Sequence, residues 1–173
     1  MKIINKSLNN AEQNKEEIYV LQHEFLRYLK EKAYQSESKT FRYNAHTSNS
    51  HLTQEMIIAS HREVIGKPHR HPSARSESYH LIEGSMNVYF FNDDGKPFKA
   101  IRLEEISKRK NFYYRLTGSA WHLPVATSEF VIYHETLTGP FLGQGIHSEY
   151  PSWLERYNTK DKIANLITEI TPQ

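Results

Sequence analysis

Gly66-Lys67-Pro68-His69-Arg70-His71-Pro72-Ser73-Ala74-Arg75-Ser76-Glu77-Ser78-Tyr79-His80-Leu81-Ile82-Glu83-Gly84 is the stretch on which the fold turns. His69 and His71 stand two apart, and on an extended segment side chains two apart project to the same side. Glu77 follows His71 by six residues and Gly84 follows Glu77 by seven, so the carboxylate opens a strand that a turn glycine closes. A third imidazole, His122, arrives after the loop Thr117-Gly118-Ser119-Ala120-Trp121. Three neutral imidazoles and a carboxylate suit a divalent first-row metal and leave positions open for water or substrate. A lone histidine in a strand is ordinarily a structural residue, and this chain has ten. The paired imidazoles, the carboxylate, the glycine interval and an all-β background together select the metal-site reading over chance.

The rest of the composition fits one soluble domain. A chain of 173 residues suffices for a single core. Lys and Arg number 22 against 20 Asp and Glu, which gives no electrostatic footprint for nucleic acid. Lys108-Arg109-Lys110 reads as a solvated turn. Cysteine is absent, so disulfides are impossible and a reducing compartment is permitted. No stretch approaches the roughly 18 apolar residues of a membrane span, and the N-terminus lacks the apolar core of a signal peptide. The expectation is a cytoplasmic protein with neither nucleic acid nor membrane as partner.

Three segments differ in pattern. Ala11 to Gln35 carries Ile18, Leu21, Phe25 and Leu29 at helical spacing, with Asn9-Asn10 as caps, and predicts an amphipathic helix. A polar arm follows. From Gln54 onward the pattern is short extended runs with turn residues between them: Met56 to Ile65, Ser78 to Ile82, Met86 to Phe91, Ala100 to Leu103, Asn111 to Leu116 and Phe130 to Leu137. Asn92-Asp93-Asp94-Gly95 is the strongest hairpin signal. Many short strands favour a sandwich or jelly-roll barrel over a βαβ fold. Trp153-Leu154-Tyr157 and Ile163-Leu166-Ile167 predict short closing helices. The expected organisation is one structural domain with a helix and arm over 1–53, a barrel over 54–141 and a helical tail over 142–173.

Gly66, His69, His71, Glu77 and Gly84 resemble the first signature motif of the cupin superfamily, with a longer gap before the glutamate. In the second motif Thr117 stands where proline is usual, ahead of His122. Residues 40 to 141, from Arg42-Tyr43-Asn44-Ala45-His46 to Gly139-Pro140-Phe141, are similar to the WbuC-type cupin metalloproteins, which are encoded among bacterial surface-polysaccharide genes. The resemblance implies a mainly β, double-stranded β-helix (jelly-roll) barrel. It further implies His69, His71, Glu77 and His122 as ligands of a divalent metal, whether Zn, Fe, Mn or Ni. A homodimer is expected, because barrels of this kind pair through edge strands or an N-terminal arm.

Strand phase places other groups. If Glu77 points inward, so do Tyr79 and Leu81, while His80 faces away. On the last strand Phe130, Ile132 and His134 share one face, and Val131, Tyr133 and Glu135 the other; which faces the cavity is open. Tyr79, His134 and Glu135 are the candidate proton-transfer residues. Arg42, Asn44 and His46 lie in an arm able to close over the barrel mouth and contact a bound group. Glu63, Glu83 and Glu135 are the candidate supports for metal-bound imidazoles. Three functions are open: a metal-dependent isomerase or epimerase on a sugar or nucleotide sugar, an iron-dependent dioxygenase, and a carbohydrate-binding module without turnover.

Overall fold

A computed structural model describes residues 11–72, 74–143 and 148–173. Among the described residues, nine strands make two facing sheets. In chain order they are β1 (Ala11–Gln13), β2 (Thr40–Asn44), β3 (Thr53–His61), β4 (Glu77–Glu83), β5 (Ser85–Phe91), β6 (Pro97–Glu104), β7 (Tyr113–Leu116), β8 (Trp121–Ala126) and β9 (Phe130–Thr138). One sheet runs β1-β2-β3-β9-β4-β7 and the other β6-β5-β8. The segment before β4 extends the smaller sheet through bridges from Ile65 to Val125 and from His69 to His122. The result is a jelly-roll barrel, one of the two architectures that the strand pattern favours and the one that the sequence resemblance implies.

Alternation explains which residues meet. Met56 and Ile58 of β3, Tyr79 and Leu81 of β4, and Val131 and Tyr133 of β9 face Met86, Val88 and Phe90 of β5 across the interior. Each such buried side chain contributes roughly 1.5–3 kcal/mol of transfer free energy. The outer face of the large sheet carries Phe41, Ala59 and Ile132, and helix α1 (Glu24–Gln35) covers it with Leu29 and Ala33. The outer face of the small sheet carries Tyr89, Phe91, Leu123 and Val125. A 3-10 turn (Ser152–Tyr157) and helix α2 (Lys160–Ile167) cover it with Trp153, Ile163 and Leu166. β5 is buried on both faces, which is why apolar residues occupy both phases from Met86 to Phe91, with Asn87 the one polar member.

Helix α1 is shorter than its periodicity predicts. It starts at Glu24, while Ala11–Gln13 forms a strand parallel to β2. Asn14 holds the start of the intervening chain out of a helix. Its side-chain amide donates to the Ala45 carbonyl at 3.1 Å, and its Oδ1 accepts from the Glu16 N–H at 3.0 Å. Such a local bond competes with helix formation. Ile18 is consequently 86% exposed and takes no part in the apolar stripe, which consists of Phe25, Leu26, Leu29 and Ala33. The predicted cap Asn9-Asn10 lies outside the described residues. β8 is also a strand where the sequence suggests only a loop ending in a ligand.

The Asn92–Gly95 turn forms as predicted, with Gly95 at φ 91°. The indole of Trp153 occupies the space that a Gly95 side chain would need, so the turn seats the C-terminal tail.

Candidate metal centre

Three separate parts of the barrel supply the four ligands. His69 and His122 are directly opposed across two strands and exchange both backbone hydrogen bonds, His69 N–H to His122 O at 3.0 Å and His122 N–H to His69 O at 2.8 Å. His122 is in phase with Phe90 on the inner face of the small sheet. His71, two residues beyond His69, reaches the same side. Glu77 opens β4 on the facing sheet, opposite Leu116 and Leu137.

The ring centroids of His69 and His122 are 4.3 Å apart, and those of His71 lie 5.3 Å from His69 and 5.4 Å from His122. One ligand atom from each of the four residues lies within 4.8 Å of every other. Around a metal with bonds of about 2.1 Å, opposed ligands are at most about 4.2 Å apart. A contraction of a few tenths of an ångström would close the shell. The sequence-predicted ligands are thus gathered at one place.

The donors are oriented for a cation. His69 Nδ1 lies 3.2 Å from the Lys67 carbonyl and His122 Nδ1 3.1 Å from the Ala120 carbonyl. Each Nδ1–H donates to its carbonyl, which leaves each Nε2 lone pair directed into the cluster. His122 Nε2 is fully buried without a hydrogen bond, and the Glu77 Oε1 atom stands 3.4 Å away. A buried nitrogen without a partner is costly, and coordination satisfies it. His71 Nε2 donates to Glu77 Oε2 at 2.9 Å, and the Tyr114 hydroxyl donates to Glu77 Oε1. Burial pushes the Glu77 carboxyl pKa up, but the His122 and His71 imidazoles outweigh it and hold the group well below the usual carboxylate range. His69 is driven down to about 4, chiefly by burial and then by the neighbouring His122. A neutral imidazole at His69 and an ionised carboxylate at Glu77 are protonation states that a divalent cation requires.

Glu135 lies on the cavity face of β9, paired across the sheet with Tyr79 of β4 and Met56 of β3. Burial first, and then the charge of Glu77, raise its carboxyl to about 7, while Arg42 pulls in the other direction. Tyr79 is buried among Tyr114 and Tyr133, at ring separations of 5.0 and 4.8 Å, and burial holds its phenol far above its ordinary range. His134 points to the opposite face of the sheet, where its Nε2 is 3.6 Å from Glu55 Oε1, away from the ligand cluster. Arg42 and Asn44 share the cavity face, opposite Ile58 and Met56. His46 leaves that face: its Nδ1 lies 2.9 Å from the Glu55 carbonyl, and it lines a surface depression with Glu16, Tyr19 and His51.

The supports are not the carboxylates that the sequence suggests. Glu83 pairs with Lys30 at 2.7 Å and Glu63 lies beside His61, both away from the ligands. Backbone carbonyls hold His69 and His122, and Tyr114 holds Glu77. Tyr114 is legible only once β7 is registered against β4, which sets it opposite Tyr79.

Comparison with known proteins agrees with this architecture. A protein from Shewanella oneidensis superposes with a TM-score of 0.55 at 10% identity, over 79% of this chain and 89% of that one. CapF bound to the inhibitor 3-isopropenyl-tropolone gives 0.51 at 10% identity, over 65% of this chain and 31% of its own. A cupin-like protein from Thermotoga maritima gives 0.49 at 12% identity, over 73% and 84%. The likeness is one of fold, a mainly β barrel of two facing sheets. The chain spans only 51–53% of the length of several other structures that it matches. Residues 21–103 match a domain of unknown function, DUF6016, a span that holds three of the four candidate ligands and stops short of His122. No curated protein matches the chain in sequence. Among the described residues, no helix is long and apolar enough to cross a membrane.

Proposed function

We propose that this protein is a metal-dependent enzyme of the cupin type that moves a proton between carbon atoms of a small, oxygen-rich substrate, an isomerase or epimerase acting on a sugar or nucleotide sugar. The observation behind this reading is the pairing of a four-ligand cluster with Glu135, a carboxyl poised near neutrality on the same cavity face. A divalent cation at His69, His71, Glu77 and His122 supplies Lewis acidity toward substrate oxygens. Glu135 takes the proton from a carbon beside a carbonyl and returns it from the same side to the neighbouring carbon, or to the opposite face of the same carbon once the deprotonated substrate has turned over in the site. A pKa close to the working pH lets one group perform both transfers. Tyr79 keeps its proton and serves as a hydrogen-bond donor, not as a base. Met86, Val131 and Tyr133 line a cavity beside His69.

Sugar chemistry, a role in surface-polysaccharide synthesis and a homodimeric state belong to the same proposal, supported by the WbuC-like sequence of residues 40 to 141. The test uses metal-loaded protein in heavy water with a panel of aldoses, ketoses and nucleotide sugars, followed by NMR for exchange of carbon-bound hydrogen. Exchange that falls by roughly 10²–10⁴ in Glu135→Gln is expected. Absence of exchange across the panel, or substrate-dependent oxygen uptake by the Fe(II) form instead, overturns the isomerase reading in favour of binding alone or of oxygenation.

A further inference from the structure

We infer that Arg70 is a positioning residue of the metal centre, and that through it the seating of the C-terminal tail at Glu149 and the retention of the ion depend on each other. The inference rests on the metal reading of the ligand cluster and concerns how that same site is held.

Residues 69–71 are the middle line of a three-stranded ladder. His69 bonds His122 on one side, and Arg70, whose peptide groups point the other way, bonds Glu149. The Arg70 N–H donates to the Glu149 carbonyl at 3.1 Å, and the Glu149 N–H donates to the Arg70 carbonyl at 2.9 Å. Side chains alternate as well. His69 and His71 enter the ligand cluster, and Arg70 lies on the outer face against Trp121, its guanidinium carbon 4.2 Å from a ring centroid. Arg70 Nε and Nη2 each stand 2.7 Å from Glu149 Oε2. Trp121 Nε1 donates to Asp93 Oδ1 at 2.8 Å, and Arg70 Nη1 is 3.8 Å from that oxygen. One side chain thus joins the strand of two ligands, the residue before a third, the Asn92–Gly95 turn and the tail.

A surface ion pair by itself contributes little. The Arg70 side chain, however, is only 33% exposed, is stacked on an indole and springs from a residue with paired backbone bonds, so several contacts fix it at once. The consequence for the ion follows from connectivity. Only Arg70 separates His69 from His71, so a turn of its backbone swings both imidazoles, and a displacement of roughly 0.5 Å is enough to spoil a ligand set. The coupling runs both ways, as linkage requires. An ion that fixes His69 and His71 also fixes the strand edge on which Glu149 docks. From Glu149 the chain leads into Trp153, Ile163 and Leu166, which cover the small sheet.

The experiment loads the full chain with Co(II) and compares wild type with Arg70→Met and Glu149→Gln. Competition with a chelating dye gives the affinity, the visible Co(II) bands report ligand geometry, and denaturant unfolding of the metal-free forms reports stability. Arg70→Met should lose about 10- to 100-fold in affinity, with altered Co(II) bands. Glu149→Gln, which leaves the backbone bonds in place, should lose affinity by a smaller factor, and it supplies the same readouts if Arg70→Met does not fold. Amide exchange at Arg70 and Glu149 should slow when the wild type is loaded with Zn(II), and that slowing should be lost in Arg70→Met. Wild-type affinity with unchanged bands in both variants, or exchange at Glu149 that is indifferent to the ion, overturns the inference. A wild type that takes up neither ion ends the metal reading as well, whereas normal loading with unaffected variants ends this inference alone.

Discussion

Tyr114 shows how much of a metal site lies in residues that never touch the metal. Its hydroxyl donates to Glu77 Oε1 while His71 Nε2 bonds Oε2, so it helps to fix the orientation of the carboxylate within the ligand cluster. Tyr114→Phe keeps the ring packing and deletes one bond. We expect a 10- to 100-fold loss of metal affinity with little change in thermal stability of the metal-free protein, measured by competition with a chelating dye. Glu135 gives a prediction with a defined pH direction. Its folded carboxyl titrates near 7, while an unfolded glutamate titrates near 4.3, approximately. Below the unfolded value both states are protonated and the group has no effect. Between the two values the folded state holds a proton that the unfolded state releases, so stability falls as pH rises and the loss is complete above the folded value. Glutamine cannot ionise, so metal-free Glu135→Gln should gain Tm relative to wild type at pH 8 but not at pH 4. Metal loading should shrink that gain, because a cation opposite Glu77 removes part of the repulsion acting on Glu135. The ligands themselves are legible as residues, since spacing along a strand fixes which side a histidine takes. His46 and His134 are not, because whether a polar side chain faces a cavity depends on strand neighbours that no local pattern reveals.

At the scale of elements, β4 shows what the glycine of the motif does. The strand bulges between Leu81 and Glu83 and ends at Gly84, whose φ is 83°. A side chain at position 84 would also meet the Phe130 carbonyl and the Ser128 hydroxyl. Gly84→Ala should therefore destabilise by about 1–3 kcal/mol from backbone conformation alone, with a further loss from the clash, read as a Tm lower by roughly 5 °C or more. An unchanged melt would remove this explanation of the glycine interval. Strands with a two-sided burial pattern are well marked in the sequence, and β3, β4, β5 and β9 fall where their apolar runs indicate. β8 is hidden because Pro124 interrupts Trp121–Ala126, and proline is a poor sign of a paired strand. Helix α1 is overextended in the sequence reading because Ile18 and Leu21 fall into helical phase with Phe25 by coincidence, while Asn14 has already tied the chain to the loop after β2.

The whole molecule is a barrel with a cover on each side, and the C-terminal cover reaches the metal centre. Arg70, between the ligands His69 and His71, exchanges backbone bonds with Glu149, pairs with its carboxylate at 2.7 Å, and stacks on Trp121 with its guanidinium carbon 4.2 Å from a ring centroid. Further along, Trp153, Ile163 and Leu166 close the apolar face over Phe91 and Leu123. Deleting residues 149–173 should expose that face and yield aggregated protein by sedimentation. The milder Trp153→Ala should cost about 3–5 kcal/mol in denaturant unfolding. If the deleted chain remains a monodisperse, metal-retaining species, the tail is an accessory and not part of the core.

The mutual backbone bonds of His69 and His122 bear on how an ion is chosen. Two of the four donors are held at a set separation by the weave of the sheet before any ion arrives, and a third hangs two positions along the same thread. Only the carboxylate arm and small ring rotations remain to adjust. Discrimination among ions then follows from how well each tolerates a nearly rigid jaw, so ions content with unequal bond lengths lose their usual advantage over those of matching radius.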